Sequence, residues 1–351
     1  MIDCICILFY LILLMSFVDL KYNNKRLILF VFPFLVLLIS SRGTLGADTS
    51  NYLMAWNRTY TVGSYHENNP ELPYSEPGYY YFCSFLKTLC NSTFFYFLVS
   101  SIITFLFYYK VIRRYADYSA LALLIYFARF MLLRDMNQVR AALAIAIAIY
   151  SIKFIYESNI KRYTCYILLA SSIHFSILLA LPLYWYSHLK INKYYICVLL
   201  AVAFLIEYNY GFEMKSFLQR ICFRYNFISD YTSDSSEYSS GLGLMNPVIY
   251  YQSLILLVYT FSERKLSANR LYYIYRNLYF FSTIVLILLS NFEVLSGRLS
   301  TIYATLEIFI IPSMLSIVRT NPLYKFLAWS VIVSIASIIF QLNVIKYFNC
   351  G

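Results

Sequence analysis

Charge is what this chain has least of: only 13% of its 351 residues are Asp, Glu, Lys or Arg, about half the share found in soluble domains. With 61% of residues in the set AVILMFWYC and a mean hydropathy of +0.63, a water-soluble globule is excluded. Histidine is nearly absent. His66, His174 and His188 have no neighbours at metal-ligand spacing, so no metal and no other cofactor is expected. No CxxC pair occurs, and Cys4, Cys6, Cys165 and Cys197 sit in apolar runs like ordinary membrane-core residues. Cys83 and Cys90, seven apart, would lie about 10 Å apart on a helix, too far for a disulfide. The first residues, MIDCICILFYLILLMSFV, lack a basic n-region and a small-residue cleavage site and are read as a retained span. No internal repeat or low-complexity linker divides the chain, which is read as one integral membrane domain, 1–351.

What is present is a series of apolar runs, at 2–18, 27–41, 93–109, 118–133, 139–156, 163–174, 175–188, 194–207, 246–262, 272–290, 299–318 and 324–342. A span needs about 20 apolar residues, so these imply an all-α polytopic transmembrane helix bundle of about 11–12 spans. Residues 163–188 read either as one long helix or as two short limbs turning at Ser172-Ile173-His174-Phe175-Ser176. Charge favours the hairpin. With that turn and an outer N-terminus, one side collects Lys21, Lys25, Arg26, Lys110, Arg113, Arg114, Lys153, Lys161, Arg162, Lys190, Lys193, Arg264, Lys265, Arg270, Arg276, Arg319 and Lys325 against only Asp19, Asp117, Glu157 and Glu263. The net charge of +11 is then a topological signal, cytoplasmic on that side, and implies no nucleic-acid partner.

Two outer loops exceed what a connector needs, 42–92 and 208–245. The first is aromatic-rich and contains stretches able to form short surface helices. The second contains FLQRICFRYNFISDY, whose apolar residues recur at helical spacing, as in an amphipathic helix on the outer leaflet. Arg42, Arg134, Arg140 and Arg298 fall at outer span ends, against the orientation bias and hence less readily explained as anchors. Guanidinium forks suit phosphate oxygens. Asp48, Glu76 and Asp135 lie close by in sequence as possible bases, and His174 falls at the hairpin tip. Arg129 and Glu307 are charges within apolar runs, each either a structural pair or a pathway residue.

The motif order RGTLGADTSNY (Arg42, Gly46, Asp48, Tyr52), EPGYYYF (Glu76, Pro77, Gly78), RDMNQVRAALAIAI (Asn137, Gln138, Arg140, Ala141), SIHFS (His174, Phe175, Ser176) and GRLSTIY (Arg298, Tyr303) resembles the EpsG-like branch of the Wzy-type O-antigen and exopolysaccharide polymerases. That family usually shows Arg-Gln at the third motif, whereas here Arg140 precedes Ala141 and the glutamine is Gln138. The resemblance implies a GT-C-like membrane glycosyltransferase. It would join undecaprenyl-pyrophosphate-linked repeat units without a metal, at the periplasmic face of a bacterial inner membrane, with a chain-length regulator as a further expected partner. Carried onto these positions, Arg42, Asp48, Arg140, His174 and Arg298 are the expected catalytic set, with Asp48 or His174 as base, and Tyr52, Glu76, Arg134, Gln138 and Tyr303 the expected substrate-binding set. Tyr52, Trp56 and Tyr79 to Tyr81 are candidates for stacking on sugar rings. A polyprenyl-linked oligosaccharide flippase, or an outer-face ligase, is the competing expectation.

Overall fold

The computed structural model describes residues 1–64, 76–222, 242–318 and 321–349. Every regular element among them is helical, and each apolar run coincides with a helical segment. Five helices are long and apolar enough to cross a membrane, Ile2–Tyr22, Thr93–Tyr115, Val139–Tyr156, Lys193–Gly211 and Pro322–Phe348, or six if the broken pair Leu295–Ala304 and Glu307–Val318 makes one span. Ile28–Ser40, Ser119–Met131 and Pro247–Phe261 are apolar but shorter. The molecule is therefore an all-α integral membrane protein. Two compact units divide the chain, one made of Met1–Leu181 with Glu307–Gly351 and the other of Pro182–Leu306.

The first unit contains α1 (Ile2–Tyr22), α2 (Ile28–Ser40), α3 (Thr49–Arg58), α4 (Pro77–Leu89), α5 (Thr93–Tyr115), α6 (Ser119–Tyr126), a π-helical turn (Phe127–Met131), α7 (Val139–Tyr156), α8 (Ile160–Ile173) and a 3-10 turn (Phe175–Ala180). At its centre is α7, flanked by α5 and α8. The Ala/Ile alternation of Ala141 to Ile149 explains that position, because small side chains let neighbouring backbones approach where lipid offers no hydrophobic drive. By contrast Ile7, Leu14 and Phe30 lie more than half exposed on α1 and α2, as expected of lipid-facing positions.

Hydrogen bonds mark two ends of this unit. At one, Asp19 Oδ2 accepts from the Ala120 amide at 2.9 Å and Lys325 Nζ donates to the Leu20 carbonyl at 2.8 Å, beside Lys21, Lys25, Arg26, Arg113 and Arg114. At the other, Tyr347 donates to the Met136 carbonyl at 3.4 Å and Arg42 to the Asp135 carbonyl at 2.7 Å. The hairpin reading is supported. Ser171 and Ser172 bond back to Leu168 and Leu169, the chain turns extended at His174 (φ −147°), and Tyr163 donates to the Ala180 carbonyl at 2.7 Å, tying the second limb to the first. Arg129 Nε and Glu307 Oε2, both inside apolar runs, pair with each other at 3.2 Å, while Asn343 Nδ2 donates to the Ala128 carbonyl that the π turn exposes.

The second unit contains α9 (Leu183–Ser187), α10 (Lys193–Cys222), α11 (Pro247–Phe261), α12 (Glu263–Leu266), α13 (Tyr272–Leu288) and α14 (Glu293–Ala304). Arg276, placed by sequence among the loop cations, is instead wholly buried in α13; its Nη2 meets the Ile191 carbonyl and its Nη1 lies 3.4 Å from Glu263 Oε2. Asn277 beside it donates to the Leu189 carbonyl at 2.6 Å, so two polar side chains satisfy a connection that sequence pattern cannot reveal. Helix α10 runs on to Cys222, into what was expected to be outer loop; the amphipathic segment is helical that far, and its remainder falls outside the described residues.

Candidate active site

Four of the five motifs meet at the end of the first unit opposite Lys21, Lys25 and Arg26. Glu76 precedes α4, with Pro77 in the first helical position, where the fixed φ of proline starts a helix well. Its Oε2 accepts from Arg140 Nη1 at 2.6 Å. Its Oε1 accepts from the Phe175 amide at 3.3 Å and lies 3.5 Å from His174 Nδ1. Glu76 and His174 are buried, and Arg140 keeps 19% of its side-chain surface exposed. A cation in the first turn of α7 works against the helix dipole, so the Glu76 carboxylate is what makes that placement tolerable.

The turn 132–138 is held from the other side by Arg42. This guanidinium is 1% exposed, lies 3.7 Å from the centre of the Phe97 ring, and feels the phenols of Tyr52, Tyr79, Tyr96 and Tyr347, which oppose the loss of charge that burial favours. Asp135, on the same turn, accepts from the Tyr126 hydroxyl at 2.6 Å, and Arg134 donates to Tyr108 at 3.3 Å. The Asp48 amide donates to Asn137 Oδ1 at 2.8 Å, closing the first motif onto the third. Gly46 (φ 102°) allows it, since a Cβ there would stand 2.6 Å from the Met136 carbonyl oxygen. Lys87 binds the Trp56, Asn57 and Thr59 carbonyls and so ties the C-terminus of α3 to α4.

The structure thus brings Glu76, Arg140 and His174 into one cluster and joins Arg42 and Asp48 to the turn carrying Arg134 and Gln138. Arg298, half-buried, and Tyr303, buried, lie on α14 in the second unit, where Ser282 donates to the Ser300 carbonyl at 2.6 Å and fixes that helix on α13. Trp56, Tyr79 and Tyr80, expected as sugar-stacking surfaces, are packed inside, because each fills a helix contact and not the interface; Tyr81 is exposed. Not foreseen was Glu207, a buried carboxylate that accepts from Ser290 and Asn291, each at 2.6 Å. An acid inside an apolar run was the available signal. Among the described residues, no group of three His, Cys, Asp or Glu side chains is arranged to hold a metal ion.

The sequence model of the EpsG family matches residues 25–349, nearly the whole chain and all five motifs. The chain belongs to the EpsG family. That family is of the Wzy-like polymerase type, which gives this membrane protein a polysaccharide polymerase-type role. No curated protein and no solved structure matches it.

In this EpsG-family protein the Asp135 carboxyl is pushed up from the ordinary 3.8 to about 6 by burial, with Tyr126, Arg134 and Arg42 limiting the rise. A raised carboxyl pKa means that the folded state holds the proton more tightly than the unfolded one. Stability from this group is complete below about pH 4 and is lost as pH climbs through 6, by on the order of 3 kcal/mol. Asp135→Asn, which can still accept from Tyr126, is expected to flatten the pH 4–6 slope of the melting temperature. An unchanged slope would assign the pH dependence elsewhere.

Proposed function

We propose that this protein polymerises undecaprenyl-pyrophosphate-linked oligosaccharide repeat units into O-antigen or exopolysaccharide, by metal-independent glycosyl transfer at the periplasmic face of a bacterial inner membrane. The observation that supports this reading is the convergence of Glu76, Arg140 and His174 at the end of the first unit away from its lysines and arginines. Lys/Arg-rich ends face the cytoplasm, which directs the cluster outward. A polyprenyl donor presents its pyrophosphate at that depth.

The acceptor hydroxyl oxygen attacks the anomeric carbon of the growing glycan, and the bond from that carbon to the pyrophosphate oxygen breaks with its electrons. Charge therefore grows on the leaving diphosphate. Arg140, fixed beforehand by Glu76 and partly exposed, meets that charge through two parallel hydrogen bonds. His174 takes the hydroxyl proton and later releases it to water, and Glu76, facing its Nδ1, orients the ring. Arg42 and Arg134 are too deeply buried for the same task and act as positioning residues that hold the 132–138 turn. Asp48, half-exposed next to that turn, is the second candidate for the base. These roles fall on residues of the first unit.

Arg140→Lys tests the reading. Lysine keeps the charge but not the fork, so a strain relying on this variant should make about 30-fold less glycan beyond a single repeat unit, at equal membrane level and in the presence of a chelator. A normal ladder from Arg140→Lys would overturn the assignment.

A further inference from the structure

The opposite end of the same unit carries a second concentration of cations, outside the cluster just described. Between the C-terminal ends of α5 and α7 lies a cavity of about 410 Å³ lined by Tyr109, Lys110, Arg113, Arg114, Tyr115, Tyr150 and Lys153. Four cations share it, and none pairs with a carboxylate among the described residues. They rest on aromatic faces and phenols instead. Lys153 Nζ lies 3.1 Å from the Tyr150 hydroxyl, Arg113 donates to the Tyr109 hydroxyl at 3.2 Å, and Lys110 Nζ stands 5.9 Å from the centre of the Tyr150 ring. Rings hold guanidinium and ammonium groups in place without neutralising them, so the cavity keeps its positive charge for an incoming anion.

One face of α5 gives the anion its class. Ile102 and Leu106, 38% and 50% exposed, are followed along that face by Lys110 and Arg113, at steps of four, four and three residues. Over about 16 Å the stripe passes from apolar to basic. A free phosphate would need only the basic half, whereas a phospholipid lays its acyl chain on Ile102 and Leu106 and its phosphate among Lys110, Arg113 and Lys153. We propose that this cavity is a binding site for the headgroup of an anionic phospholipid, at the membrane surface opposite the candidate active site.

The experiment is native mass spectrometry of the full chain in detergent with added dioleoylphosphatidylglycerol, dioleoylphosphatidylcholine or inorganic phosphate. Phosphatidylglycerol adducts should exceed phosphatidylcholine adducts about 10-fold or more. The triple variant Lys110→Gln, Arg113→Gln, Lys153→Gln should lose that preference, while Lys21→Gln with Lys25→Gln, at the same end but outside the cavity, should keep it. Lys21, Lys110 and Arg113 are exposed and Lys25 and Lys153 half-buried, and an unchanged melting temperature verifies the fold. Equal binding of the two lipids would overturn the proposal, as would equal loss in the Lys21/Lys25 variant, which would mean general attraction. Displacement of phosphatidylglycerol by millimolar inorganic phosphate would also overturn it, in favour of a soluble anion.

Discussion

Glu76→Ala is expected to lower glycan polymerisation about 1,000-fold or more, the largest loss of any single change in the cluster. The carboxylate serves two partners at once, with Oε2 on Arg140 and Oε1 facing both His174 and the Phe175 amide. Without it, the Arg140 guanidinium stands largely buried at the wrong end of a helix dipole, and removing one partner of such a pair commonly costs about 3–5 kcal/mol. The ring of His174 loses its orienter in the same step. Glu76→Gln should be milder in stability, since an amide oxygen still accepts one hydrogen bond, yet nearly as inactive, because it no longer fixes Arg140 by charge. Membrane level and melting temperature separate the two effects. A Glu76→Ala protein that is folded and makes no polymer supports the role; one that makes the normal ladder removes Glu76 from the chemistry.

Much of the fold was legible because hydropathy is a long-range average. Most apolar runs became helices, although 175–188 folds as a 3-10 turn and one short helix and 299–318 as a broken pair, and the turn at His174 followed from counting charges on either side of it. Span length was not legible to the same degree: five or six helices are long enough to cross where about 11–12 spans were expected, and apolar helices such as Ile28–Ser40 and Ser119–Met131 fall short, because hydropathy averages over the bends and turns that end a helix. Nor does apolar patterning separate lipid-facing from protein-facing positions, as both are apolar. Trp56 and Tyr79, expected as sugar-stacking rings, therefore proved to be packed inside. In the site, residue types could be picked out singly, but Arg276 and Arg140 look alike in sequence; one meets Glu263 and the Ile191 carbonyl, the other Glu76 beside a histidine. Partnership across 64 residues, as between Glu76 and Arg140, is set by packing alone.

That packing is most exposed to test at Gly78. Its α-carbon faces Ser172 at the end of α8, and a Cβ there would overlap the serine side chain, with 2.7 Å to the Ser172 carbonyl oxygen. Backbone cannot yield as a flexible side chain does, so Gly78→Ala must push the start of α4 away from α8. Glu76 lies two residues before Gly78, and His174 two residues after Ser172, so the displacement acts directly on their 3.5 Å contact. A shift of about 1 Å should lower polymerisation about 100-fold, and the overpacking should cost roughly 1–3 kcal/mol of stability. Adding Ser172→Gly removes the serine side chain from the clash but leaves the carbonyl, so the double variant should regain only part of the activity. If Gly78→Ala alone polymerises like the wild type, α4 and α8 do not hold the glutamate and histidine together, and the geometry on which the proposed chemistry rests would have to be abandoned.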